Sequence, residues 1–157
     1  MTIKLIAIGK TDNNELQTLL SEYINRLQHD VKFELVIIPD VKNAKHLSEN
    51  EQKNKEGEAL LKLVKPSDVL ILLDEKGRQF SSIEFSEVLQ KRMNSGIKSL
   101  YFVIGGPYGF SDSIYQRANQ KISLSKMTFS HQMVRIFMIE QLYRGFTILK
   151  NEPYHHR

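Results

Sequence analysis

The sequence predicts an α/β fold in which a parallel β-sheet is covered by helices on both faces. Segments of strand length alternate with segments of helical periodicity along the chain. Strands and helices in this order join through right-handed crossovers into a parallel sheet. Residues 69–73 are aliphatic throughout, as expected of a strand buried on both sides. Because the 157 residues contain no linker, repeat or low-complexity segment, we expect one domain over residues 1–157.

The first half of the chain alternates strand, helix, strand and helix. Residues 3–8 form an apolar run of strand length, and residues 33–38 form a second one that ends before Pro39. Between them, one helical face carries the apolar residues Leu16, Leu19, Leu20, Tyr23 and Leu27. After a polar connection over residues 40–47, Ser48 and Glu51 form the pattern of a capping box that opens a helix to about residue 63.

The second half continues the alternation. The strand at 69–73 is followed by a predicted short turn, "DEKGR", and by a second capping box at Ser81 and Glu84. That helix buries Phe85, Val88 and Leu89 and ends at Gly96. A strand at 100–104, a short helix capped by Ser111 and a brief strand at 122–124 come next. A long helix over residues 131–149 then buries its apolar stripe, which we expect to contain Met133, Ile136, Phe137 and Tyr143.

Composition excludes several classes of protein. The chain has no cysteine, which excludes disulfides and thiolate metal sites. No apolar run approaches the length of a membrane span, and the N-terminus lacks the pattern of a signal peptide, so we expect a cytoplasmic protein. Residues 1–73 carry a net charge of −1, whereas residues 117–157 carry seven basic and two acidic residues. This basic end suggests a polyanionic partner, although a solvated helix face explains the charge equally well.

Parallel sheets bind ligands beyond the carboxyl ends of their strands. The strand ends to consider are Leu73-Asp74, Gly105-Gly106 and Leu124-Ser125. The loop "IGGPYGF" lacks the spacing of a phosphate-binding loop, and Pro107 within it has no N–H to donate to a phosphate. A tight turn is one interpretation of its three glycines. The other is a wall where the backbone closely approaches a flat ligand without phosphates, such as an adenosyl group.

Four stretches together resemble one enzyme family: "IGGPYGF", "LSKMTFSHQMVR", "EQLYRGF" and the terminal "PYHHR". They are similar to the ribosomal RNA large-subunit methyltransferase H family, a minimal SPOUT-type family that methylates N3 of a pseudouridine in bacterial 23S rRNA. The resemblance extends over the whole chain and includes "IKLIAIGK" and "KEGEALL". The family usually ends in Pro-Tyr-His followed directly by Arg or Lys, whereas here His156 precedes Arg157.

The resemblance implies an α/β SPOUT-type fold with a C-terminal trefoil knot, which binds S-adenosylmethionine among its knotted loops. It also implies a homodimer that pairs through the last helix, whose Met133, Phe137 and Ile139 widen the apolar face beyond one stripe. Matching the motifs residue by residue gives the expected cofactor contacts: Leu73, Gly105, Leu124, Ser125, Lys126, Met127, Thr128 and Phe129.

Methylation of a weakly acidic N3–H needs alignment and a group that accepts the proton. His131 at the start of the last helix is one candidate base, and Tyr154 and His155 on the tail are alternatives. Arg135, Arg144 and Arg157 are candidate RNA contacts, which could bind phosphate or stabilise developing charge. Two other functions stay open at this stage: a flavodoxin-like domain that binds a small ligand, and a ribosome-binding factor that has lost catalysis.

Overall fold

Five parallel strands form the centre of the molecule in the computed structural model, which describes residues 1–156. The strands lie in the order β2-β1-β4-β3-β5, and every neighbouring pair is parallel. Their bounds are β1 Thr2–Ile8, β2 Lys32–Ile38, β3 Val69–Gln79, β4 Ser99–Ile104 and β5 Gln120–Ser123. The parallel sheet confirms the predicted α/β class.

Helices cover both faces of this sheet. Their bounds are α1 Asn14–Leu27, α2 Glu49–Leu61, α3 Ser82–Asn94, α4 Asp112–Arg117 and α5 His131–Leu149. Helix α5 contacts α1 and α3 on one face, and α2 contacts α4 on the other. Successive strand residues point to opposite faces, so Leu5 joins the first apolar layer and Ile6 the second. Two-sided burial therefore explains why the central strands are continuous aliphatic runs.

The predicted start signals place most helices correctly. The Ser48 Oγ accepts from the Glu51 N–H at 3.1 Å, and the Glu51 Oε1 accepts from the Ser48 N–H at 3.3 Å, so the capping box forms. Ser81 and Ser130 accept from backbone N–H groups in the first turns of α3 and α5. Ser111 precedes α4, but its Oγ makes no capping bond; this oxygen is buried without a partner among residues 1–156.

The predicted turn after residue 73 is wrong. Strand β3 continues through "DEKGR" to Gln79 because its second half also pairs with β5. Ile122 of β5 pairs with Leu73 at the end of the first half of β3 and with Arg78 at the start of the second half. The segment between these two residues therefore passes around Ile122. A Cβ on Gly77 would lie 2.7 Å from the Ile122 backbone, so a side chain cannot fit there. The trefoil knot implied by the resemblance stays a prediction.

Three predicted core residues lie at the surface. Leu19, Met133 and Phe137 are 37%, 37% and 39% exposed, whereas Ile136 and Ile139 are buried in the core of the chain itself. The buried stripe of α5 thus rotates away from Met133 and Phe137, and these two residues form the unburied apolar part of the helix. No helix within residues 1–156 is both long and apolar enough to cross a membrane.

Candidate functional site

A cleft of about 610 Å³ opens at the carboxyl ends of β3, β4 and β5. It lies where parallel sheets are expected to bind ligands, and its walls bring together sequence segments that are far apart. Seven of the eight expected cofactor contacts line it: Leu73, Gly105, Leu124, Ser125, Met127, Thr128 and Phe129. The eighth, Lys126, is exposed and lies outside the cleft walls.

The glycine loop after β4 contains a tight turn. The Gly109 N–H donates to the Gly106 carbonyl at 3.1 Å, which closes a four-residue turn with Pro107 in its second position. Proline suits this position because its fixed φ matches the turn and its missing N–H is not needed there. The tight-turn interpretation of the glycines is therefore confirmed. The same segment also lines the cleft, and its close approach to a flat ligand stays a prediction.

Gly105 and Gly106 lie where a side chain would not fit easily. A Cβ on Gly106 would lie 2.5 Å from both carboxylate oxygens of Glu56, which packs beneath the loop from α2. A Cβ on Gly105 would lie 3.1 Å from the ring of Phe110. Because Gly105 and Gly106 have no side chains, the loop packs directly against Phe110 and Glu56. The same two residues also line the cleft.

Glu56 is a residue whose importance the sequence analysis missed, although it lies within the quoted "KEGEALL". Its side chain is 6% exposed, and one oxygen accepts from the Gln52 Nε2 at 3.2 Å. Burial raises the pKa of Glu56. The hydrogen bond from Gln52 lowers this pKa, and the nearby charge of Asp40 raises it, so that the pKa is raised overall. The sequence indicates Glu56 only by a carboxylate directly before Gly57, in a helix that was predicted from its capping box.

A second wall of the cleft is fixed by Asp74 at the bend of β3. Its two carboxylate oxygens accept from the Lys76 N–H at 2.9 Å and from the Tyr115 hydroxyl at 2.5 Å. Burial, the hydrogen bond to Asp74 and the charge of Asp74 raise the pKa of Tyr115. The bond joins β3 to α4 across the cleft rim.

The segment between β5 and α5 forms a third wall with its own internal hydrogen bonds. The Ser123 Oγ donates to the Ser125 carbonyl at 2.8 Å, and the Ser125 Oγ accepts from the Met127 N–H at 3.0 Å. Met127 is 75% exposed at the cleft rim. His131 follows at the first residue of α5, exposed and lining the cleft. The structure therefore brings the candidate base His131 into the predicted cofactor cleft.

Arg135 does not have the environment expected of an RNA contact. It is 1% exposed, and its guanidinium donates to the His131 carbonyl, the Thr11 hydroxyl and the Ile8 carbonyl at 3.2, 3.1 and 2.9 Å. Burial lowers its pKa, although the nearby carboxylates of Asp12 and Asp40 oppose this. All these donors point into the protein, so Arg135 connects the start of α5 to the end of β1.

The C-terminal tail packs on the middle of α5. Glu140 accepts from the Arg144 Nη2 at 2.6 Å and from the Tyr154 hydroxyl at 2.9 Å. The Arg144 guanidinium also lies 3.2 Å from the His155 Nδ1 and 4.6 Å from the centre of the Tyr154 ring. We call Glu140, Arg144, Tyr154 and His155 the tail cluster. Arg157 lies outside the described residues.

The tail cluster and the cleft are separate on one chain. Glu140 follows His131 by nine residues, which is about 14 Å along a helix axis. None of the four members of the tail cluster lines the 610 Å³ cleft. A smaller cavity of about 270 Å³ lies between α3 and α5 and shares Leu124 and Phe129 with the cleft. The structure thus groups His131 with the expected cofactor contacts, and it groups Tyr154 and His155 with Arg144.

Much of the basic excess near the C-terminus contacts the protein itself. Arg117 donates to the carbonyls of Lys65 and Asp68, and Lys150 lies 2.5 Å from Asp30. Lys121 and Lys126 are exposed. No group of three or more His, Asp or Glu side chains within residues 1–156 could hold a metal ion.

Comparison with known proteins gives consistent results. A family model described as "Predicted SPOUT methyltransferase" matches residues 1–155. Proteins named "Ribosomal RNA large subunit methyltransferase H" from Flavobacterium psychrophilum and Flavobacterium johnsoniae are 68% identical to this chain over 157 residues, which is the whole of both chains. The protein of the same name from Parabacteroides distasonis is 58% identical over 156 residues, which is 99% of each chain.

Proposed function

This chain belongs to the SPOUT methyltransferase family, and from that premise we propose that it transfers a methyl group from S-adenosylmethionine to ribosomal RNA of the large subunit. The observation that carries the proposal is the identity of 68% over full length to proteins named for that activity. The resemblance in the sequence motifs refines the target to N3 of a pseudouridine in 23S rRNA. Such a substrate implies a cytoplasmic protein that works on ribosomes.

The residues present fit the cofactor. The cleft volume of about 610 Å³ falls in the range of small-molecule sites. Leu73, Leu124 and Phe129 offer apolar surface for an adenine ring, and Gly105 lets the backbone approach it without a side chain between. The hydroxyl of Thr128 supplies a polar contact in the same walls. When bound, S-adenosylmethionine supplies an electrophilic methyl group on a sulfonium.

The protein's task in such a displacement is alignment and proton removal. We assign proton removal from N3 to an imidazole nitrogen of His131, which lies in the cleft wall. Arg135 positions His131, because its Nε bonds the carbonyl of that residue and its other donors hold the end of β1. Arg144 belongs to the tail cluster, where Glu140 neutralises its charge, and it would act on RNA only through the tail.

A homodimer would complete the site. The tail cluster lies away from the cleft of its own chain, so Tyr154 and His155 would reach reacting atoms only in a partner's cleft. Met133 and Phe137 are the exposed apolar residues of α5 and offer a surface on which a second copy could pack. In this arrangement, one chain supplies the cofactor cleft and His131, and the other supplies the tail.

Two measurements separate this function from the open alternatives. A domain that binds some other small ligand would show no affinity for S-adenosylmethionine in a calorimetric titration. A ribosome-binding factor without catalysis would bind the cofactor and ribosomes but transfer no methyl group. We expect binding of the cofactor and of its demethylated product, together with methyl transfer to ribosomes.

The shared site is tested by mixing two inactive variants. One variant ends before Tyr154 and therefore lacks the tail. The other carries Gly105→Val in the cleft and is assayed at a cofactor concentration well below its weakened Kd, where it transfers little methyl on its own. Mixed dimers contain one intact cleft and one intact tail, so part of the methyl transfer should return on mixing. Light scattering gives the control: a monomer at the assay concentration contradicts the shared site, and so does a mixture that stays inactive although mixed dimers form.

A further inference from the structure

Tyr108 differs from every other tyrosine of the chain. It is 46% exposed, and its hydroxyl and ring make no hydrogen bond or aromatic contact to residues 1–156. The other five tyrosines each have such partners. Tyr101 and Tyr115 donate hydrogen bonds from their hydroxyls, and Tyr23, Tyr143 and Tyr154 contact one another through their rings. An aromatic ring that the fold does not use is available for a ligand.

The backbone holds Tyr108 in a defined place. It is the third residue of the turn closed by the Gly109 N–H and the Gly106 carbonyl, directly after Pro107. Gly109 follows with φ +82°, a conformation that glycine adopts without strain. Glu56 supports the turn from below at Gly106. A ring presented by such a turn loses little conformational entropy when it binds a partner.

The position of Tyr108 relates it to the reaction. It lines the same cleft as Gly105 and His131, and the exposed Met127 lines another part of that cleft. Tyr108 is the third residue of the turn, and it lines the cleft together with the residues expected to contact the cofactor. The cleft therefore has an exposed aromatic ring among its lining residues, which also include the candidate base.

We propose that Tyr108 is the stacking platform on which the target nucleobase lies while it is methylated, an inference that rests on the proposed function. Enzymes that modify a base must hold it outside its normal stack, and proteins commonly stack such bases on aromatic side chains. A tyrosine ring stacks with any base, so Tyr108 contributes to capture and orientation of the base rather than to reading its identity. Tyr108 acts on the RNA and does not contribute to cofactor affinity.

Three variants test this assignment. Tyr108→Phe keeps the ring, Tyr108→Leu removes it at similar volume, and Leu63→Ala is a control that removes exposed apolar surface outside the cleft. The substrate is 70S ribosomes from a strain in which the gene for this protein is deleted. For each variant, cofactor affinity is measured by calorimetry, ribosome affinity by sedimentation with S-adenosylhomocysteine present, and kcat/KM by methyl transfer.

We expect Tyr108→Leu to lower ribosome affinity and kcat/KM, the latter by about 5- to 150-fold, because loss of one base–aromatic stack has that effect. Its affinity for S-adenosylmethionine should stay within about twofold of the wild type. Tyr108→Phe and Leu63→Ala should behave like the wild type. Wild-type kcat/KM in Tyr108→Leu overturns the inference. A loss of cofactor affinity that matches the loss of kcat/KM also overturns it, and so does a kcat/KM in Tyr108→Phe that is as low as in Tyr108→Leu.

The inference and the proposed function fail in different ways. A wild-type protein that methylates ribosomes, with Tyr108→Leu equally active, overturns the stacking role alone. Ribosome binding that depends on the ring at residue 108, without methyl transfer by the wild type, overturns the catalytic function and supports stacking. Absence of both ribosome binding and methyl transfer in the wild type overturns both.

Discussion

Replacing Gly105 with valine should block the cofactor cleft without unfolding the protein. The backbone of Gly105 is outside the left-handed region, so an L-residue is not strained there. A Cβ would lie 3.1 and 3.2 Å from two ring atoms of Phe110, which is tighter than an ordinary contact. That ring is 8% exposed and packs edge-on against Tyr115 with ring centres 5.8 Å apart. Because the ring has little room to withdraw, the loop must move toward the cleft.

The size of the effect follows from the added groups. Alanine at residue 105 needs only a shift of a few tenths of an ångström, whereas valine adds two further methyl groups beside the cofactor site. The free protein relieves the clash by moving the loop into the cleft, so the overpacking cost of about 1–3 kcal/mol falls on the bound complex and lowers affinity by about 5- to 150-fold. We therefore expect a graded loss in affinity for S-adenosylmethionine from glycine through alanine to valine, measured by isothermal titration calorimetry.

The control for this series is Gly96→Ala at the end of α3. Gly96 has φ +76° and no neighbour within 4 Å of an added Cβ, so alanine there costs stability through backbone strain alone. Its affinity for the cofactor should equal that of the wild type even though its Tm falls. Undiminished affinity in a folded Gly105→Val protein would contradict the assignment of this loop to the cofactor site.

Three further variants test other parts of the structure. Arg135→Met should lower the free energy of unfolding by about 3 kcal/mol, because it leaves buried acceptors unpaired. This corresponds to roughly 6–12 °C in Tm, whereas a surface role in RNA binding predicts an unchanged Tm. Glu140→Gln should release the tail from α5, which limited proteolysis would detect. Methyl transfer should fall by about 10- to 100-fold with little change in Tm. A tail as well protected from protease as in the wild type would contradict the role of Glu140 in holding it. The pKa of Glu56 is raised in the folded state, so its ionisation opposes folding and wild-type stability falls as pH rises from the unfolded value of 4.5 through the folded one. The stability of Glu56→Gln relative to the wild type should therefore increase over that pH range in denaturant titrations, and a pH-independent difference would contradict the burial effect.

Local signals predicted most of the architecture. Helix α5 was expected over residues 131–149, and the structure forms it over His131–Leu149. Ser48 and Glu51 form their capping box because all its atoms lie within four residues of one another. The strand ends that were expected to form a ligand site meet in one cleft, since parallel strands place their carboxyl ends at the same edge.

Features that depend on distant contacts were not predictable in the same way. The segment "DEKGR" is polar and turn-like, and it becomes part of β3 only because β5, over 40 residues later, pairs with it. Arg135 was interpreted as a candidate RNA contact because the sequence does not show that its guanidinium donates to the Ile8 carbonyl and the Thr11 hydroxyl. The packing of Tyr154 on Glu140 depends likewise on how the tail turns back after α5.

The central claim, methyl transfer to large-subunit ribosomal RNA, has one direct test. Purified protein is incubated with S-adenosylmethionine carrying a labelled methyl group and with ribosomes from a strain that lacks the gene. The rRNA is then digested to nucleosides, which are separated and identified by mass spectrometry. We expect label in 23S rRNA, in a pseudouridine methylated at N3, and a reduced yield of label in Gly105→Val when the cofactor is subsaturating. Ribosomes that stay unlabelled, or label found only in small-subunit RNA or in protein, would contradict it.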